Sequence, residues 1–132
     1  MTADRRPSLT TAKIVTLYSP ILSGEPSGKA VVERILKAAV QSYSDLKVRA
    51  VFHVEGQSAF AAVIDEIVDG HVLQLVEIFT LNAEGEVGEI RIFTRPWLVT
   101  AYFRKRMHAQ LNDILGPELW QGPDPQGPLP VQ

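Results

Sequence analysis

A chain of 132 residues with 45% hydrophobic and 21% charged side chains has the length of one domain and enough apolar content for a core of its own. A formal net charge of −2 leaves no electrostatic footprint for a nucleic acid, and no apolar stretch approaches the roughly 20 residues of a membrane-spanning helix. Zero cysteines exclude disulfides and thiol chemistry, and the polar start from Met1 to Pro7 lacks the apolar core of a secretory leader, so a cytoplasmic address is the default expectation.

Residues 1–12 read as a flexible lead, 13–117 as one domain, and 118–132 as a Pro/Gly-rich tail, disordered or extended. Lys13 to Pro20 is a strand by its content of Ile14, Val15, Thr16 and Tyr18, with Pro20 ending it. Ser23 to Gly28 is dense in turn formers. From Lys29 to Tyr43, Val32, Ile35, Leu36, Ala39, Val40 and Tyr43 recur at helical spacing. Leu46 to Val54 alternates Leu46, Val48, Ala50, Phe52 and Val54 against Lys47, Arg49, Val51 and His53, the pattern of a half-buried strand. Long strands follow from Gln57 to Val68 and from His71 to Leu81. A last strand runs from Glu86 to Thr94, and Pro96 suits the first turn of a helix from Trp97 to Leu115 that Gly116-Pro117 ends.

Glu77 interrupts the strongest apolar run, Val72 to Phe79, where a carboxylate is out of place. The Asp69-Gly70 pair signals a two-residue type I′ hairpin, which sets Val68 opposite His71 and Ala62 opposite Glu77. One sheet face then carries Phe60, Ala62, Ile64, Leu73, Leu75, Glu77 and Phe79, with Glu66 as the second charge. Glu66 lies close to the hairpin end and reads as a solvated residue at a pocket rim. If Asn82 to Gly85 is a four-residue loop closing Leu81 onto Glu86, Ile90 faces Glu77 and Ile92 faces Leu75. If Ala83-Glu84-Gly85 is a three-residue loop with a bulge, Arg91 faces Glu77 instead. The first register is preferred, because it sends Asp65, Gln74, Glu89 and Arg91 together to the opposite face.

Strand, helix and then a four-stranded antiparallel meander make an α+β domain in which a strongly curved sheet folds around a helix. From Ile14 to Trp97 the chain resembles the nuclear transport factor 2-like (NTF2-like) superfamily, which includes SnoaL-like polyketide cyclases and ketosteroid isomerases. The resemblance lies in Tyr18-Ser19-Pro20 before a turn, Ser27-Gly28-Lys29-Ala30-Val31 opening the helix, the Asp69-Gly70 hairpin, and Leu75 to Phe79 before Asn82 to Val87. It implies a cone with a deep apolar pocket between sheet and helices. In the isomerases an aspartic acid occupies the position of Glu77 and is kept protonated to donate to a substrate oxyanion. Burial of Glu77 in an apolar cavity acts in the same direction, since desolvation disfavours the charged form.

Two departures stand against a full isomerase. The family's general base is an aspartate directly before the proline of the first strand, where this chain has Ser19, and a serine without a basic partner does not shuttle a proton at neutral pH. The family's tyrosine donor sits on helices before that strand, whereas 13 residues precede Ile14 here and Pro7 interrupts them. Either the start lies upstream, or a partner subunit or the C-terminal helix covers the cone.

Glu77 has three readings: a structural carboxylate with a satisfying partner, a ligand-binding group, or a catalytic one. Ser19, Phe60, Ala62, Ile64, Glu66, Leu73, Leu75, Phe79, Ile90 and Ile92 are the candidate ligand-binding set. Tyr18, Trp97 and Phe103 either line the cavity or belong to the core. His53 and His108 have no metal-ligand company, no phosphate loop or nucleophile elbow occurs, and no cofactor is expected. The expected partners are a small apolar molecule and a second copy of the chain, docked through the polar sheet face that carries Gln74, Glu89 and Arg91.

Overall fold

Asp69 at φ 50° and Gly70 at φ 80° form the turn that the Asp-Gly pair predicts, since a type I′ hairpin needs positive φ at both central residues. In the computed structural model, which describes residues 9–120, this hairpin joins the two longest strands, β3 (Ala59–Val68) and β4 (His71–Leu81). Before them come β1 (Thr11–Tyr18), α1 (Lys29–Ser42) and β2 (Leu46–His53); after them come β5 (Val87–Arg95), α2 (Trp97–Leu111) and a 3-10 turn, Pro117–Trp120. The strands form one sheet in the order β1-β5-β4-β3-β2. β1 runs parallel to β5, and every other pair is antiparallel. The fold is the expected α+β arrangement of a curved sheet wrapped on helices. None of the described helices is long and apolar enough to cross a membrane.

The register of the first hairpin is as expected, with Val68 opposite His71 and Ala62 opposite Glu77. The second differs from both alternatives. Glu77 faces Ile92, Leu75 faces Thr94, and Phe79 faces Ile90. Asn82 is the cause: its Oδ1 accepts the N–H groups of Glu84 at 3.0 Å and Glu86 at 2.9 Å, and its own N–H donates to the Glu86 carbonyl at 2.7 Å. That wrap closes Leu81 on Val87, and a bulge leaves Gly88 without a direct partner before Thr80 meets Glu89. The total slip is two residues. Because side chains alternate with a period of two, Ile90 and Ile92 stay on the face of Glu77, and Arg91 stays on the other, opposite Ile78.

β2 departs from its simple alternation. Val48 pairs with Ile64 but Ala50 pairs with Val63, so Arg49 is a bulge residue and the strand's faces exchange beyond it. Val51 and His53 then pair with Ala62 and Phe60, and the His53 ring lies 5.8 Å from that of Phe60. Phe52 turns to the outer face and is 60% exposed.

α1 sets Val32, Ile35 and Ala38 against the sheet. α2 ends at Leu111, four residues before the expected Leu115; Asn112 and Asp113 are weak helix formers, and the Asn112 amide donates back to the His108 carbonyl at 2.9 Å. α2 contacts α1, β3, β4 and β5, so the cone is covered by the C-terminal helix. Between the helices, Gln110 Nε2 donates to Ser42 Oγ at 2.7 Å, and Ser42 donates to the Ala38 carbonyl at 2.8 Å.

The described elements reach past both bounds of the expected 13–117 domain, from Thr11 to Trp120. Thr11 and Ala12 are buried in β1, and Trp120 is packed into the core. Pro117–Trp120 clasps the loop after β1: the Ser23 N–H donates to the Leu119 carbonyl at 2.9 Å, Ser23 Oγ donates to the Glu118 carbonyl at 2.7 Å, and Arg104 donates to the carbonyls of Ile21 and Trp120. The expected tail from residue 121 onward, like residues 1–8, lies outside the described residues.

Candidate functional site

The concave face is built by the even positions of β3, Phe60 to Val68, and the odd positions of β4, Leu73 to Phe79, all buried. Toward the Asp69-Gly70 end a cavity opens between this face and the two helices. Its empty space is ≈ 480 Å³ including solvent at its mouth, of which water centres reach ≈ 40 Å³, room for roughly three waters.

Of the expected site residues, Ser19, Glu66, Leu73, Leu75, Glu77 and Ile92 line this cavity. Phe60, Ala62, Ile64, Phe79 and Ile90 do not: they are packed in the core, Ala62 and Ile64 beside Glu77 and Leu75, with Phe60 stacked on Phe79 at 4.9 Å. Glu66, expected to be solvated, is 4% exposed, and Glu77 is 3% exposed. Neither carboxyl is without an interaction partner. The sequence reading missed the helical wall, Ile35, Leu36 and Ala39 from α1 and Met107 from α2, along with Leu17, Pro20 and Thr94. The i, i+1, i+4 spacing of the α1 residues, and the i, i+4 spacing of Phe103 and Met107, were the available signals. Phe103 lines the cavity, whereas Trp97 is 44% exposed and Tyr18 lies under the Arg91 guanidinium at 3.9 Å.

Among the described residues, no cation lines the cavity. Its lining holds two glutamates, the hydroxyls of Ser19 and Thr94, one thioether, and otherwise apolar groups. Arg91, the partner Glu77 would have in the alternative register, instead bonds Glu89 at 2.8 Å on the other face, and that hydrogen bond raises its pKa further. Ser19 Oγ accepts the Ile21 N–H at 3.3 Å, and Thr94 Oγ1 shares a hydrogen bond with Thr100 Oγ1 at 2.8 Å. The site therefore brings two carboxyls into a mostly apolar enclosure.

No protein-family model and no curated protein matches the sequence. Solved structures do match the fold. A steroid delta-isomerase from Pseudomonas aeruginosa aligns with a TM-score of 0.72 at 15% identity, over 78% of this chain and 75% of that one. An uncharacterised protein with a cystatin-like fold from Silicibacter pomeroyi DSS-3 aligns with a TM-score of 0.73 at 22% identity, over 79% and 72%. The epoxide hydrolase/cyclase-like enzyme SalBIII, which has a role in pyran ring formation in the polyether salinomycin, aligns with a TM-score of 0.52 at 16% identity, over 64% and 72%. With the curved sheet, the covering helices and the enclosed cavity already described, these likenesses identify the fold of this chain as the NTF2-like cone.

Proposed function

We propose that this is a cytoplasmic small-molecule-binding protein of the SnoaL-like kind, whose cavity carries out acid-base chemistry of the isomerase, cyclase or dehydratase type on a small hydrophobic ligand. Glu77 is its reactive group. The observation that carries the reading is the placement of a 3% exposed carboxyl on the wall of a mostly apolar cavity. Burial among apolar groups favours the protonated acid, and a neutral carboxyl can donate a hydrogen bond to an oxygen that gains charge during reaction. The fold's likeness to a steroid delta-isomerase and to a cyclase-like enzyme adds support by analogy.

The test is Glu77→Gln, which is nearly isosteric. A catalytic carboxyl predicts a loss of turnover of about 10²–10⁴-fold with an unchanged or higher melting temperature, read by steady-state kinetics and by circular dichroism. Full activity in the Glu77→Gln variant sinks the assignment.

A second reading, a noncatalytic assembly module, has its own observation. The outer sheet face carries exposed Phe52 and Phe93 on either side of Ala61, Val63, Val76 and Ile78, an apolar band flanked by the Arg49–Asp65 and Glu89–Arg91 pairs. A second copy of the chain is the proposed partner for this band. Dimer formation by itself does not decide between the two readings, because it would use the convex face and leave the concave one free.

A further inference from the structure

The hydrogens of the two hydroxyls on the cavity wall can be traced. A hydroxyl has one hydrogen to give and lone pairs with which to accept. Thr100 Oγ1 gives its hydrogen to the Pro96 carbonyl at 3.2 Å, so in the 2.8 Å contact between Thr94 and Thr100 the donor is Thr94. Thr94 Oγ1 therefore meets the cavity as an acceptor. Ser19 has the opposite character: its Oγ already accepts the Ile21 N–H at 3.3 Å, and its own hydrogen remains to be given. The two stand on one side of the enclosure. Leu17 is level with Ile90 and Tyr18 with Arg91, so the next step sets Ser19 level with Ile92, one inward-facing position, or about 7 Å of strand, from Thr94. A ligand hydroxyl fits between them, because it donates to one and accepts from the other.

The rest of the lining bounds the remainder of such a ligand. Ser19 and Thr94 are half-buried, whereas Leu17, Leu75, Phe103 and Met107 are buried, so the polar end of the enclosure is its wetter end. Room for roughly three waters, at about 30 Å³ each, is close to the volume of one five-membered carbon ring. No cation lines the cavity to hold an anion.

We propose that this cavity binds a small neutral alcohol of about four to six carbons, whose hydroxyl donates to Thr94 Oγ1 and accepts from Ser19 Oγ, with its carbon skeleton against Leu17, Leu75, Phe103 and Met107. This depends on the cavity being a ligand site, as proposed above, and asks nothing of Glu66 or Glu77, both of which already have interaction partners.

The experiment follows the methyl NMR signal of Met107, which stands on the cavity wall and shares the chain with one other methionine, Met1. Wild type, Ser19→Ala and Thr94→Val are titrated with cyclopentanol, with cyclopentanone, which accepts a hydrogen bond but donates none, and with decahydro-2-naphthol. In the wild type cyclopentanol should shift the signal saturably and bind about threefold to tenfold tighter than cyclopentanone. Thr94→Val should erase that difference, and Ser19→Ala should weaken both compounds alike. Decahydro-2-naphthol has more apolar area to bury and would bind tighter in a roomy pocket; here it should bind more weakly or not at all. A ketone bound as tightly as the alcohol, or a two-ring alcohol bound tighter than cyclopentanol, overturns the proposal and leaves the cavity standing as a ligand site. No saturable shift with any of the three overturns both. If Thr94→Val does not fold, the ratio of alcohol to ketone affinity in the wild type decides alone.

Discussion

Burying a carboxyl costs free energy that an apolar neighbour on the same strand does not, and this protein buries two on one wall. Glu77 was legible as such, because the Asp69-Gly70 turn fixes the parity of β3 and β4 and its neighbours at positions 73, 75 and 79 are apolar. Glu66 was not, since closeness to a turn suggests water, and the α2 residues that share its cavity, Phe103 and Met107, come some forty residues later in the chain. The same long-range packing appears at Asp69, which α2 reaches through Arg106. The hydrogen bond from the Arg106 guanidinium holds the Asp69 carboxyl below its ordinary 3.8. A depressed folded-state pKa means that the pair's contribution is present above the ordinary value and is lost as pH falls through the folded one. Arg106→Ala should therefore move the Asp69 titration upward, toward 3.8, in an NMR pH series, and should flatten the acid limb of stability. An unmoved titration would mean that the pair does not form in solution.

At the level of strands and helices, turn chemistry, strand preference and hydrophobic spacing placed the five strands and both α-helices, though not the 3-10 turn, while bulges decided the details. The pattern of β2 gave no warning that Arg49 would be an extra residue, because a bulge is set by the curvature of the whole sheet. In the second hairpin the face of each residue was legible and the rung was not: the Asn82 side chain draws the loop tighter, and Gly88 takes up the difference. Two glycines of that hairpin should consequently behave differently. Gly85 has φ 78°, where an L side chain is strained, so Gly85→Ala should cost about 1–2 kcal/mol. A Cβ on Gly88 meets only the Thr80 carbonyl at 3.9 Å, an ordinary contact, so Gly88→Ala should stay within about 0.5 kcal/mol of wild type. Urea denaturation of both variants checks the contrast, and equal losses would refute this account of the loop.

Taken as a whole, the molecule uses the two faces of its sheet for different ends, a cavity under α1 and α2 and an apolar band outside. If the band joins two copies, the wild type should sediment as a dimer and Phe93→Glu, which sets a charge at the side of the apolar band, as a monomer with an unchanged circular dichroism spectrum. A monomeric wild type at micromolar concentration would remove the assembly reading. The cover supplied by the C-terminal helix was among the possibilities the sequence left open, and its clasp by Pro117–Trp120 fell in a stretch whose prolines and glycines read as tail. That clasp has an optical consequence. The chain has two tryptophans; Trp97 is 44% exposed, whereas Trp120 is 9% exposed, with the His108 ring edge-on at 4.9 Å and Arg104 nearby. With Trp97→Phe, the fluorescence that remains comes from the shielded indole alone, so a red shift on loosening the last turn would report its release from the β1 loop directly, without a label.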